Sequence, residues 1–302
     1  KIMGCQCIGK PIQPVVPKAR PVHEAIYFVG SDLHSINEFN IESQQFNRCE
    51  ISHLMHLDAG VTEIDKKSLI FAGGIELPAS TDVATAFIIS TETLVARPIA
   101  SLPHPRRKLR LVCVERTVYA LAGVRESKVG TKGAKNDYTH NFSKYSCDRN
   151  SWTVLPDMEI GVENPACCFQ SGKLFVSGGC CMQGDKLDLV DLIQVYDIAG
   201  EEWACLDYRM PESIYNHCIM PLTDDTLLIF GGLDEDEEGV ARSYVLTAEG
   251  FEVHSDMPKG YNCCFTSYSK VYGGNLYAFS ENFVLYSYSF KSALWTVFKP
   301  TC

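Results

Sequence analysis

Two charged runs and a scatter of ligand-type side chains are where this sequence has the means for chemistry. Leu233 is followed by five consecutive carboxylates, Asp234, Glu235, Asp236, Glu237 and Glu238. Carboxylate oxygens suit Ca²⁺, but a calcium loop alternates Asp or Asn ligands with other residues around a glycine, and this run does not. Like charges in a row more simply form a solvated surface or meet a basic partner. The opposite sign gathers between Val124 and His140, where Arg125, Lys128, Lys132 and Lys135 stand with two glycines. That reads as a flexible basic loop, suited to an acidic surface.

The remaining candidates do not assemble into a reactive set. The histidines are His23, His34, His53, His56, His104, His140, His217 and His254, and only His53 and His56 are close in sequence. No Cys-x-x-Cys pair accompanies a second pair or histidines at zinc-ligand spacing. Cys5-Gln-Cys7 and Cys180-Cys181 are tight clusters, each a weak metal signal alone. No Ser-His-Asp order and no phosphate-cradling glycine loop can be read. The expectation is a protein without catalytic residues, metal or cofactor.

The elements that would position the charged runs follow a repeat. An apolar stretch closing on a small pair occurs six times, the pairs starting at Gly30, Gly73, Ala122, Gly178, Gly231 and Ser280. Downstream of each comes an aromatic and, seven residues on, a second bulky side chain. These are Phe39/Phe46, Phe87/Leu94, Tyr145/Trp152, Tyr196/Trp203, Tyr244/Phe251 and Tyr288/Trp295. An apolar run ending in glycines predicts a strand closed by a tight turn, because glycine accepts positive φ without a Cβ clash. The spaced aromatics predict two further strands joined by a hairpin.

A diglycine closing a hydrophobic strand, then Tyr, then Trp, at a period of about 50 residues, resembles the kelch repeat. The resemblance runs from about Ala25 to Pro300 and is cleanest in the fourth repeat. It implies an all-β, six-bladed kelch-type β-propeller of four-stranded antiparallel blades over residues 19–302. Residues 1–18 form a Gly- and Pro-rich lead, in which Ile12 to Val16 is expected to supply the inner strand of the first blade. Expected inner strands of later blades are Gly60–Ile64 and Leu109–Val114, and Leu94 is expected to open the outer strand of the second. Equivalent loops of a propeller share a face, so the basic loop and the acidic run are expected on one rim. Asn164, Asn216 and Asn262 each precede an inner strand, and are expected to cap its start or to line the mouth of the central channel.

What the resemblance implies about function is a non-catalytic interaction module, a scaffold of cytoskeletal or ciliary type presenting blade loops to protein partners in the cytoplasm. The alternative is the substrate-recognition domain of a ubiquitin-ligase adaptor whose other domains lie outside this chain. A galactose-oxidase-like enzyme would need two Tyr, two His and a Cys at one mouth. A sialidase-like one would need an arginine cluster and repeated Asp-box turns. Ser146-Cys-Asp148-Arg-Asn-Ser-Trp152 partly resembles such a box, but the kelch hairpin explains it.

Bulk properties agree with one large all-β unit. The chain has 302 residues, 46% hydrophobic and 21% charged, enough to bury a sizeable core. Its net charge of −10 argues against nucleic acid as the main partner. No apolar run reaches the ~20 residues of a membrane helix. Met3-Gly4-Cys5 resembles the start of dually acylated proteins, with Gly4 and Cys5 the acceptors, although Ile8 stands where Ser or Thr is usual. Of the fourteen cysteines, Cys113, Cys167, Cys168, Cys218, Cys263 and Cys264 fall in expected inner strands, which predicts reduced, buried thiols.

Overall fold

The computed structural model describes residues 23–29, 32–51, 53–126, 136–183, 186–258, 264–280 and 284–298. The chain is a six-bladed β-propeller built from antiparallel four-stranded sheets, with no helix among the described residues. The fourth blade shows the plan, with strands Ala166–Gln170, Lys173–Ser177, Ile193–Asp197 and Glu202–Cys205 in that order. The second, third, fifth and sixth blades begin at Gly60–Asp65, Arg110–Val114, Cys218–Pro221 and Cys264–Tyr272. These first strands approach one another across neighbouring blades, so they surround the axis. The first blade contributes Ala25–Val29, Ser35–Asn40 and Gln45–Glu50. The strand expected at Ile12 to Val16 lies outside the described residues, as do Gly4 and Cys5.

Apolar faces are buried between blades rather than within them. Six clusters of buried side chains each join two neighbours; Ile70 and Ile88 meet Val118 and Tyr145, for example, between the second and third blades. The last cluster packs Ile26, Phe28 and Phe39 against Phe279 and Leu285, closing the ring from sixth blade to first. Tyr145/Trp152, Tyr196/Trp203, Tyr288/Trp295 and Phe39/Phe46 are direct cross-strand partners. The indoles also reach back, Trp203 Nε1 donating to the Pro156 carbonyl at 3.0 Å and Trp152 Nε1 to that of Ala100 at 2.8 Å.

Two spaced pairs behave differently. Leu94 sits in the hairpin turn at φ 59°, and the outer strand is Ala96–Ile99, with Phe87 opposite Pro98. In the fifth blade a shorter turn brings Gly250 opposite Thr247, so Tyr244 faces Val253 and Phe251 faces Leu246. Turn length sets hairpin register, and the fifth blade's turn is shorter than the others. The second blade's turn has the usual length, but its partners seven residues apart are Ile89 and Ala96 rather than Phe87 and Leu94.

The small pairs of the second, third and fourth blades each join their blade to the next. The Gly74 N–H donates to the Arg106 carbonyl at 2.9 Å, Gly123 to Val162 at 2.8 Å, and Gly179 to Ile214 at 3.0 Å. A Cβ on Gly73 would lie 2.3 Å from the Arg106 oxygen, so the backbones meet only where that atom is missing. Arg106 itself is 2% exposed and donates to the carbonyls of Asn141 and Ala120, each at 3.0 Å. Burial lowers its guanidinium to about 10.

Charge also ties the ring where it closes. Lys270 of the sixth blade sets its ammonium 2.9 Å from Glu63 of the second, 3.2 Å from Glu24 and 3.2 Å from the Ala25 carbonyl of the first. Burial pushes the Glu63 carboxyl up, against the pull of Lys270. Lys270→Met is therefore expected to cost about 2 kcal/mol by stranding Glu63, and Glu63→Gln in the same chain to restore most of it. Denaturant midpoints of the two single variants and the double one check this; simple additivity would contradict the pairing.

Candidate functional site: channel mouth and hairpin rim

At one end of the propeller the backbone turns left-handed just before successive inner strands. Asp58, Lys108, Asn164 and Asn216 each stand two residues before an inner strand, and all four adopt φ between 53° and 55°. Asn and Asp tolerate this left-handed region better than most residues, which accounts for three of the four; Lys108 has no such advantage. Their backbones link in sequence. The Lys108 N–H donates to the Asp58 carbonyl at 2.8 Å, Asn164 to Lys108 at 3.4 Å, and Asn216 to Asn164 at 3.0 Å. The sequence singled out the asparagines, and the structure places Asn164 and Asn216 in this chain of bonds. Asn262 lies outside the described residues. Asp58 and Lys108 were missed because register relative to the inner strand, not residue type, marks the position.

A cavity of about 270 Å³ opens inside this arc, lined among others by His56, Asp58, Lys108, Arg110, Asn164 and Tyr268. Its cations are engaged. Lys108 Nζ lies 3.0 Å from Glu163 Oε1, and Arg110 donates to the Pro165 carbonyl at 2.8 Å and to Asn216 Oδ1 at 3.1 Å.

The residue just before each left-handed position makes a two-bond bridge to the residue after the small pair of the same blade. Leu57 pairs Ile75, Arg107 pairs Val124, Glu163 pairs Cys180 and Tyr215 pairs Leu233. The segments that follow the small pairs therefore rise around the mouth. In the second blade this is Ile75–Glu76 with Thr81–Asp82, in the third Val124–Glu126 with Asn136–Tyr138, and in the fourth Cys180–Gln183 with Lys186–Leu189. The fifth carries the acidic run, closed by a Leu233–Gly239 bridge.

Of the basic loop, Arg125 is described and its Nε lies 2.6 Å from Asp137 Oδ2 within the same hairpin. Lys128, Lys132 and Lys135 lie outside the described residues. The second and third hairpins are clasped by Asp82, which accepts from Arg107 Nη1 at 2.6 Å and from the Glu126 N–H at 2.7 Å. In the acidic run Asp234 turns inward, Oδ1 accepting from the Asp236 and Glu238 N–H groups at 3.0 and 2.9 Å. Glu235, Asp236, Glu237 and Glu238 are exposed.

One nucleophile–base pair escaped the sequence. Ser177 Oγ lies 2.8 Å from His217 Nε2, joining the fourth blade to the fifth. Both residues are fully buried, and His217 Nδ1 has no partner, so the pair lacks both substrate access and an orienting carboxylate. Nine of the described cysteines are free thiols. Burial lifts Cys167 and Cys180 to about 12, which makes them poor nucleophiles. Among the described residues no cluster of His, Cys, Asp and Glu could hold a metal ion.

A stretch of 105 residues is 27% identical to an F-box/kelch-repeat protein of Arabidopsis thaliana, covering 33% of this chain and 27% of that one. A second such Arabidopsis protein, described as putative, is 24% identical over 118 residues, 38% of this chain and 30% of its own. Kelch-like protein 38 of Rattus norvegicus is 25% identical over 104 residues, 34% of this chain and 17% of that protein. The six-bladed propeller of four-stranded antiparallel blades is consistent with a kelch-repeat protein. No family model matches the chain, and the matched stretch spans less than a third of each relative. The kelch pattern resides in the diglycine junctions and aromatic hairpins, while the hairpins at the mouth differ from blade to blade.

Proposed function

We propose that this kelch propeller is a non-catalytic protein-interaction module, a scaffold that presents its mouth-side hairpins to a partner within a larger assembly of cytoskeletal or ciliary type in the cytoplasm. The observation that carries the reading is the division of labour just described. Backbone bonds and buried aromatics repeat from blade to blade, whereas the segments above the small pairs vary in length and charge. A rigid frame lets the partner dock without ordering the scaffold first, and binding residues concentrate on loops held by such frames. The basic run Arg125, Lys128, Lys132 and Lys135 and the acidic run Asp234 to Glu238, two repeats later in the sequence, are opposite charges suited to steering and register. Among the described residues no helix is long and apolar enough to cross a membrane.

A second reading takes the propeller as the substrate-recognition part of a ubiquitin-ligase adaptor. It is favoured by the names of the two plant relatives, which join an F-box to kelch repeats.

Cross-linking mass spectrometry on the protein isolated gently from its source tests the module. Cross-links from Lys128, Lys132 or Lys135 to one defined protein, lost as salt rises, are expected. Recovery of the chain alone, with no cross-link from any mouth-side hairpin, would overturn the proposal.

A further inference from the structure

A groove on the mouth side lies away from the axis, between the fourth and fifth blades. It encloses about 740 Å³, more than twice the cavity at the mouth. One wall is the Lys186–Leu189 strand of the fourth blade, the other the acidic turn and the Gly239–Arg242 segment of the fifth. Leu187, Leu189, Val240 and Ala241 give it an apolar lining, each half-buried and so still in contact with water. Asp188, Glu212, Asp234, Glu235 and Asp256 set five carboxylates around that lining, against Lys186 and Arg242. Arg242 is engaged by Glu212 at 3.5 Å. Tyr244, Glu212 and Asp256 together hold Arg242 charged. Glu235 and Asp256 are exposed, and Asp236, Glu237 and Glu238 extend the same charge along the rim.

We propose that this groove seats a basic segment of a partner protein, one that mixes Lys or Arg with apolar side chains. The inference rests on the interaction-module reading and adds the chemistry of the partner. The apolar lining explains why bare charge is insufficient, since it offers area to Leu- or Val-like side chains. The surplus of carboxylates selects cations beside them and disfavours an acidic segment, because like charges brought together are repelled. The groove also lies between two blades, so one bound segment touches both.

A short fluorescein-labelled peptide alternating Lys and Leu is the probe, with a Glu-Leu peptide of the same length as its counterpart, read by anisotropy on the full chain. The Lys-Leu peptide is expected to bind and the Glu-Leu peptide not. Glu235→Lys with Asp256→Lys is expected to weaken binding about tenfold, whereas Glu249→Lys with Glu252→Lys, on the exposed outer hairpin of the fifth blade, leaves it within about twofold. Ser213→Trp fills the groove without changing its charge and is expected to abolish the apolar contribution, leaving weak, salt-sensitive association. Equal loss in the two charge-reversed pairs would show a diffuse field and overturn the groove. So would equal binding of the two peptides, or binding unmoved by Ser213→Trp. A partner cross-linked to other hairpins but indifferent to Glu235→Lys would leave the interaction module standing and sink this inference alone.

Discussion

Gly178→Ala is expected to remove about 3–5 kcal/mol of folding stability, while Gly172→Ala six residues earlier costs about 1 kcal/mol. Both glycines have positive φ, 59° and 78°, so the intrinsic penalty of an L side chain in the left-handed region applies to both. They differ in what a Cβ would meet. Around Gly172 nothing lies within 4 Å. At Gly178 the Ile214 carbonyl would be 2.4 Å away and His217 Cε1 2.7 Å away. The carbonyl cannot yield, because it accepts the Gly179 N–H that joins the fourth blade to the fifth. Since a domain has only about 5–15 kcal/mol in total, the Gly178 variant should unfold at much lower denaturant or fail to accumulate. Equal midpoints for the two variants would show that the interblade contact does not limit the backbone there.

The second large effect is acid-sensitive. Burial, with Arg110 nearby, pushes the His217 imidazole from its ordinary 6.5 down to about 3. The folded protein therefore binds this proton less readily than the unfolded chain. The corresponding stability is fully present above pH 6.5, is withdrawn as pH falls, and is exhausted below the folded value. Between pH 7 and pH 4 this one site is expected to remove about 3 kcal/mol. His217→Gln lacks the titrating group, so its stability should fall less over the same range, and carboxylates common to both proteins cancel in the comparison. Parallel pH dependences for the wild type and the variant would assign the acid limb elsewhere.

The repeated frame was legible because it obeys local rules. Apolar strands, small pairs and turn-flanking aromatics are all set within a few residues, and Ser68–Ala72 is the strand that closes on the small pair at Gly73. Register was legible where the aromatic stood at the usual place before a turn of usual length. Phe251 was misplaced because the fifth blade's turn is shorter, and Leu94 because the second blade puts aliphatic Ile89 opposite Ala96 at the paired position and Phe87 two residues earlier. The mouth was half legible. Asn164 and Asn216 announce a left-handed backbone by residue type, while Lys108 adopts the same φ with no compositional signal. Ser177 with His217 and the groove between the fourth and fifth blades were not legible at all. Both depend on side chains from different blades meeting in space, and nothing local encodes that distance.

The backbone bonds joining Asp58, Lys108, Asn164 and Asn216 turn the mouth into its own gauge of ring integrity. The amide protons of Lys108, Asn164 and Asn216 are each held by a carbonyl from the preceding blade, so separating two blades frees them whatever the side chains do. In deuterated solvent the N–H groups of Lys108, Asn164 and Asn216 should exchange at matched rates if the blades part cooperatively. A single fast amide among them would locate the junction at which the ring breathes.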